Sequence, residues 1–199
     1  MGLNAAATII PGKGTVFLAE PGTAFPDYLT LDPLKPPTGW DTLGHTSRDN
    51  NVALSKDGGD ATVNGSWWAE ALRTTYASTN WSLTANSLQI DKTTLATAFG
   101  GGVLDDAEGS YSVRQIVPQA KAVMVLMIDG TGRMAFGVPN TTVSIGEAPS
   151  IDPTKFFEVQ LSFQILDDPT TGEKFRIFHP ALKMAAAPAG SGAAASGGN

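Results

Sequence analysis

The stretch that decides the fold class is Phe157-Glu158-Val159-Gln160-Leu161-Ser162-Phe163-Gln164-Ile165. Its odd-numbered residues are large and apolar, and its even-numbered residues are polar. Because successive side chains of a strand point to opposite faces of a sheet, this alternation predicts a half-buried β-strand. The chain is predicted to turn at residues 168–172, where Pro169 fixes φ and Gly172 can leave the turn, and to return over residues 174–178.

Further short strands are predicted on both sides of this one, at residues 14–20, 80–90, 111–117, 121–128, 133–138 and 141–145. Asp129-Gly130 is a strong hairpin signal between two of them. In residues 80–90 the apolar positions change parity, from Trp81, Leu83 and Ala85 to Leu88 and Ile90. A strand that keeps one buried face cannot do this without an extra residue, so we expect a β-bulge near Asn86-Ser87.

One helix is predicted, over residues 91–100. Asp91 is placed to cap its N-terminus, and Gly100 can adopt the left-handed conformation that ends helices. Leu95, Ala98 and Phe99 would form its apolar stripe. Residues 101–110, which follow, are predicted to be a polar loop.

Two segments lack sustained alternation. Residues 21–39 contain five prolines and are predicted to be an extended connector whose length indicates a binding or assembly role. Residues 40–76 are predicted to be a protruding hairpin or long loop. Within them Asp57-Gly58-Gly59-Asp60 would be the turn between candidate strands at 52–54 and 61–63.

Composition limits the function classes. The 199 residues are 42% hydrophobic but only 16% charged, and they include 22 Gly and 13 Pro, which is typical of a turn-rich, mainly β domain. The organisation expected is an N-terminal arm at 1–13, one β domain at 14–183 and a flexible Ala/Gly/Ser-rich tail at 184–199. The absence of cysteine excludes disulfides and thiolate metal sites, and the two histidines lie far apart in sequence.

The net charge of −6 disfavours ordinary nucleic-acid binding. The longest apolar run is too short to cross a membrane, and the N-terminal residues lack the positive charge of a secretory signal. We therefore expect no membrane association and a cytosolic site of synthesis.

No catalytic, cofactor or metal site is predicted. Gly12-Lys13-Gly14-Thr15 lacks the spacing of a phosphate loop. The pairs Asp105-Asp106 and Asp167-Asp168 would point to opposite faces of a strand, so they are interpreted as solvated loop charges, with Asp168 opening the Pro169 turn. The four tryptophans could form a sugar-stacking platform, but core and interface anchoring is favoured for them. They are Trp40, Trp67, Trp68 and Trp81.

Four segments give the chain a family resemblance: residues 40–47, 54–60, 66–73 and 81–100. In these segments, and over about residues 9 to 180, the sequence resembles the major tail proteins, or tail tube subunits, of siphophages, most closely those of actinobacterial phages. The resemblance implies a two-sheet antiparallel β-sandwich or barrel with one flanking helix. It also implies a structural virion protein, without enzymatic activity or cofactor, whose hexameric rings stack into the tube through which DNA leaves the capsid.

The implied partners are further copies of the chain, a tape measure protein, a tail terminator and distal tail or tip proteins, with assembly in the host cytoplasm. DNA would pass without specific binding. The loop at residues 48–66 would reach the adjacent ring, and its candidate contact residues are Arg48, Asp49, Lys56, Asp57, Gly58, Gly59 and Asp60. Candidates to face the bore are Asp49, Asp57, Asp60, Glu158, Gln160 and Gln164, although for the residues at 158, 160 and 164 an outward solvated face is an equal alternative.

Two alternatives remain open. The chain could be another virion protein of similar fold, such as a tail terminator or a capsid decoration protein. It could also be a carbohydrate-binding β-sandwich that uses its tryptophans directly.

Overall fold

The computed structural model describes residues 7–130 and 132–183, which contain twelve β-strands and one α-helix. The first six strands are β1 Lys13–Ala19, β2 Trp40–Thr42, β3 Ala53–Gly58, β4 Ala61–Ser66, β5 Ala69–Tyr76 and β6 Thr79–Ser87. After the helix α1 Lys92–Phe99 come β7 Gly100–Asp105, β8 Ser110–Ile116, β9 Gln119–Asp129, β10 Gly132–Ile145, β11 Val159–Ile165 and β12 Arg176–Phe178. A 3₁₀ turn follows at Pro180–Leu182.

Eight of these strands form one antiparallel sheet. Its order is β2-β1-β9-β10-β11-β6-β3, and β12 pairs with β10. The other four form two separate ladders, β4 with β5 and β7 with β8. The predicted mainly β, antiparallel architecture with a flanking helix is confirmed, and the sheet does not close into a barrel.

The main core lies on one face of this sheet. Val159, Leu161, Phe163 and Ile165 of β11 are all buried in it, as their alternation predicts, although β11 begins two residues after Phe157. Side chains of β1 and β6 join the same core. The segment of residues 40–47 links the two strands at one end, since Leu43 N donates to Val16 O at 3.1 Å and Ser47 N donates to Asn86 O at 2.8 Å.

The longest strand, β10, carries the β-bulge of the sheet. Residues 133–138 and 141–145, predicted as two strands, are one strand whose register with β9 shifts between Val138 and Thr141. The extra residue allows Val138 and Val143 to reach the same core although their sequence parity differs. The bulge predicted near Asn86-Ser87 is wrong, because β6 pairs with β11 in regular register up to Ser87 and then ends.

The helix has the predicted ends. The Asp91 carboxylate accepts from Thr94 N at 2.9 Å, and Gly100 ends the helix with φ of 66°. Ala98 of the predicted stripe is buried and Phe99 packs on the core, whereas Leu95 is half-buried.

The Pro-rich connector at residues 21–39 contains no helix or strand, as predicted, but its role inside the chain is packing. Tyr28 and Leu31 are buried in a second core, on the opposite face of β1 and β9. The Phe25 ring lies 5.8 Å from the Trp40 ring. The connector therefore covers a sheet face that would otherwise expose apolar area to water.

Two local predictions fail after the helix. Residues 101–110 are not a loop throughout, because β7 begins at Gly100 and pairs with β8. The return strand predicted at residues 174–178 is also shorter than expected, because β12 spans only Arg176–Phe178, and it pairs with residues 135–137 of β10. The turn between β11 and β12 is as predicted, and Gly172 N donates to Asp168 O at 2.8 Å. The predicted tail at 184–199 lies outside the described residues.

Candidate assembly surfaces

The most exposed element of the protein is a long hairpin that starts in the main sheet. Its inner half is β3 paired with β6, and its outer half is β4 paired with β5. The two halves are continuous, because Gly59 N donates to Ser78 O at 3.2 Å and Ala77 N donates to Asp60 O at 3.0 Å. We call the outer half, residues 61–76, the arm.

The arm corrects the predicted position of the hairpin turn. Residues 57–60 do not join two paired strands, because β3 and β4 each pair with a different strand. The turn lies instead at Trp67 and Trp68, where Ser66 Oγ accepts from the backbone N of Trp68 at 3.3 Å and of Ala69 at 3.2 Å. Residues 40–76 do contain a protruding hairpin, but it is longer than predicted.

Two glycines join the arm to the sheet. Gly58 and Gly59 have φ of 78° and 81°, which β-carbon-bearing residues rarely adopt. A β-carbon on Gly58 would lie 2.4 Å from Ser78 O. Glycine is therefore required where the hairpin leaves the sheet.

Seven residues were predicted to contact the adjacent ring, and the structure places them along the first strand of this hairpin and before it. Arg48 and Asp49 lie in an exposed loop that precedes β3. Lys56, Asp57 and Gly58 end β3, whereas Gly59 and Asp60 lie between β3 and β4. Two of the seven thus lie before the hairpin and five lie where its inner half meets the arm, and none lies in its second strand or at its tip. The only local signal for β5 is that the apolar residues Leu72 and Tyr76 share one parity while Arg73 and Thr75 have the other.

The carboxylate of Glu158, a residue predicted to face the bore, accepts three side-chain hydrogen bonds. The donors are Ser47 Oγ at 2.7 Å, Asn50 Nδ2 at 2.7 Å and Asn86 Nδ2 at 3.0 Å. Burial alone would raise the pKa of Glu158, but these three hydrogen bonds outweigh it and the pKa lies below its ordinary value. The carboxylate therefore holds the loop before β3 against the end of β6.

The pairing register brings several predicted bore residues onto one face of the sheet, opposite the main core. Gln164 lies opposite Ser82, Gln160 opposite Asn86, and Asp57 opposite Asn80. Asp49 lies beside Glu158 in the wall of a shallow groove, whereas Asp60 lies beyond the end of β3.

We call this surface the polar face. Apart from Asp57 and Ala53, its positions in β3, β6 and β11 and at residues 142 and 144 of β10 hold uncharged polar residues, and none of these positions holds lysine or arginine. The uncharged polar residues are Ser55, Asn80, Ser82, Thr84, Asn86, Thr142, Ser144, Gln160, Ser162 and Gln164.

The four tryptophans do not form a common platform. Trp40 is buried in the second core, and Trp81 packs on the first with its ring 5.3 Å from that of Phe175. Only Trp67 and Trp68 are fully exposed, at the tip of the arm. The predicted core role is confirmed for Trp40.

The remaining candidate chemistry is structural. The Asp168 carboxylate accepts from the backbone N of Thr171 and Thr170, and these bonds lower its pKa. No group of three or more histidine, aspartate or glutamate side chains that could hold a metal ion occurs within residues 7–130 and 132–183. No helix in the described part of the chain is long and apolar enough to span a membrane.

An exposed hairpin and an open polar face define a structural β protein rather than a protein built around a pocket. The sequence profile of the family described as phage tail tube protein matches residues 1–189, and the chain belongs to that family. It is similar to the major tail proteins Gp23 of Mycobacterium phage D29 and Mycobacterium phage L5. The identities are 29% and 28% over 177 residues, which cover 84% of this chain and 88% of each relative.

The predicted resemblance to tail proteins of actinobacterial phages is thereby confirmed. The family is structural and not an enzyme family, and the chain is a tail tube subunit of the virion that assembles with copies of itself.

Proposed function

We propose that this subunit forms hexameric rings that stack into the tail tube, the conduit for DNA ejection. The observation that supports this most directly is the arm, an antiparallel hairpin exposed to water on both faces from its base to its tip. A two-stranded hairpin alone is marginally stable in water, so an exposed one gains stability from a partner. A tube of identical rings supplies such a partner to every subunit.

In this proposal the hairpin is the contact between rings. The predicted contact residues, from Arg48 to Asp60, lie before the hairpin and where its inner half meets the arm, and the arm extends the reach beyond them. A strand rises about 3.3 Å per residue, so the six residues of β4 project the tip by about 20 Å.

The polar face is proposed to line the bore. Lysines or arginines at many sites would hold the DNA backbone by releasing its counterions, whereas hydroxyl and amide groups offer no such attraction. The few charges at its margins, Asp57 and Glu158, repel phosphate. Among the predicted bore residues, the pairing register supports the proposal for Asp57, Gln160 and Gln164, which share the polar face, and gives no such support for Asp60, which lies beyond β3.

The other components also belong to the proposal. A tape measure protein would occupy the bore before ejection, and a tail terminator and distal tail or tip proteins would bind the two ends of the tube. DNA would slide through without specific binding, and assembly would take place in the host cytoplasm.

Electron cryomicroscopy of tubes, grown with the natural tip complex as initiator, tests the architecture. The expected map has six subunits per ring, the hairpin crossing between rings and the polar face on the bore. A map with the polar face on the outer wall would contradict the bore assignment. Failure of the concentrated, initiated protein to form hollow tubes would contradict the proposal as a whole.

Placing positive charge on the polar face tests the sliding mechanism. Virions with Asp57→Lys and Gln164→Lys should form intact tubes but release DNA several-fold more slowly, with the delay shrinking as salt is raised. The matched control carries Ala107→Lys and Thr170→Lys, two exposed turn positions outside the strands that form this face. Equal release rates in all three virions would refute the mechanism.

A further inference from the structure

The two sides of the arm differ in chemistry, although neither is covered. Ala61 lies opposite Tyr76 and Val63 opposite Thr74, and strand alternation puts Leu72, the neighbour of Arg73, on the same side as Tyr76. The other side pairs Thr62 with Thr75 and Asn64 with Arg73. The arm therefore has an apolar side and a polar side, the pattern of a strand pair that buries one face.

Nothing in the described part of the chain covers the apolar side. Val63, Leu72 and Tyr76 are 56%, 69% and 74% exposed. At the tip Trp67 and Trp68 are 103% and 99% exposed. Isolated apolar side chains on a surface are ordinary, but five large ones on one two-stranded element form a patch that marks an interaction site.

The size of the patch fits a protein partner. Three aromatic side chains bury about 150–250 Å² each when covered, so the two tryptophans and Tyr76 alone supply about 450–750 Å². A standard interface buries about 800 Å² per partner. With Val63 and Leu72 added, the patch approaches that area. Because the family assembles tubes from identical subunits, every copy has another copy within reach.

We propose that the arm docks on a second copy of this chain through its apolar side only, with Trp67 and Trp68 as the anchors of the contact. The side that carries Thr62, Asn64, Arg73 and Thr75 stays in water. This inference rests on the proposed tube function, which leaves open both the side of the hairpin and the residues that carry the binding.

The chemistry of the tip suits an anchor. Tryptophan is among the residues most enriched at energetic hot spots, because it buries a large area with few rotatable bonds. Ser66 fixes the backbone of the turn through two hydrogen bonds, so the two rings are presented from a defined geometry. Little ordering of the turn is then needed on docking.

The test compares variants of the tip and of the polar side in the same assembly reaction. Trp67→Ala with Trp68→Ala should raise the subunit concentration for half-maximal tube formation by about 30-fold or more, as expected for hot-spot anchors. Trp67→Phe with Trp68→Phe should recover most of the loss. Arg73→Gln, on the polar side, should assemble within about twofold of the unchanged protein.

Thermal unfolding of the unassembled subunit is the control for folding. The melting temperature should be equal in all four proteins, because Trp67, Trp68 and Arg73 are exposed in the subunit. If the unchanged protein forms tubes and the double alanine variant forms them equally well, the anchor assignment is overturned and the tube function stands. If Arg73→Gln fails as badly as the double alanine variant, the one-sided contact is overturned. If the unchanged protein never forms tubes, the proposed function itself fails.

Tryptophan fluorescence gives a second readout. Since Trp40 is buried and Trp81 half-buried in the subunit, a blue shift of emission during assembly reports on Trp67 and Trp68. The unchanged protein should show the shift, and the double alanine variant, driven to assemble at high concentration, should not. Tubes that form without any shift would overturn the anchor assignment.

Discussion

Strand β11 and the arm each have an apolar face and a polar face, but their surroundings are opposite. In β11 the apolar side chains Val159, Leu161, Phe163 and Ile165 are buried in the main core of the subunit. In the arm the side chains of Val63, Leu72 and Tyr76 are exposed to solvent. An apolar strand face thus indicates that something has to cover it, but it does not indicate whether the covering surface belongs to the same chain.

The largest expected effect is in β11, where Phe163→Ala removes a fully buried ring from the core. The free energy of unfolding of the subunit should fall by about 3–5 kcal/mol, because the lost transfer energy and the cavity add. Urea unfolding of the unassembled subunit measures it. A loss below about 1 kcal/mol would show that β11 does not depend on the main core.

Glu158→Gln tests the three hydrogen bonds that tie the loop before β3 to β6. At pH 7 the variant should lose about 1–2 kcal/mol of stability, a modest value because the carboxylate is only half-buried. The pKa of Glu158 is lowered in the fold, so its contribution is complete above the unfolded pKa and is lost as the pH falls through the folded pKa. The difference between the two proteins should therefore shrink on acidification.

Urea unfolding at pH 7 and at about pH 3 measures this difference. Asp49→Asn, which removes a carboxylate in the adjacent exposed loop, is the control and should change stability little at either pH. A difference between Glu158→Gln and the unchanged protein that stays constant with pH would contradict the role of the ionised carboxylate.

Asp91→Ala removes the cap of α1 and tests a feature that the sequence alone predicts. Loss of the hydrogen bond to Thr94 N should cost about 1 kcal/mol. Asp91→Asn retains an acceptor and should lose only a few tenths of that amount. Equal losses in the two variants would point to the charge or to Gln89, whose Nε2 donates to Asp91 Oδ2 at 2.6 Å.

The smallest expected effect is in the arm, where Leu72→Ala should change the stability of the unassembled subunit by less than about 0.5 kcal/mol. The same change in tubes should weaken assembly, since Leu72 lies on the proposed docking side. A large loss of stability in the isolated subunit would mean that the arm is already packed there, and would end the contrast with β11.

Features that depend on a few neighbouring residues could be predicted from the sequence. Asp91 and Gly100 bound the helix through a capping hydrogen bond and a positive φ, both of which act within one turn. The hairpin at Asp129-Gly130 and the turn after Asp168 are likewise local. The sequence did not predict which distant strand each segment pairs with, and the pairing of β12 with β10 is an example.

The β-bulge of the main sheet shows why strand register could not be predicted from the sequence. The change of apolar parity in residues 80–90 predicts a bulge near Asn86-Ser87, but the structure has only the end of β6 there. Where the sequence predicts two strands, at 133–138 and 141–145, the structure has one strand with a bulge between Val138 and Thr141. The sequence pattern is the same in both cases, and only the neighbouring strand distinguishes a strand end from an inserted residue.

By itself the sequence determined the mainly β composition, the single helix with its caps and the strand that anchors the core, because side-chain periodicity and backbone sterics act over a few residues. The tertiary structure alone decided that Asp57 shares a face with Gln160 and Gln164 and that Trp67 and Trp68 lie at the tip of a hairpin. These positions depend on the register between segments up to about a hundred residues apart, and register is set by how the whole sheet buries its core.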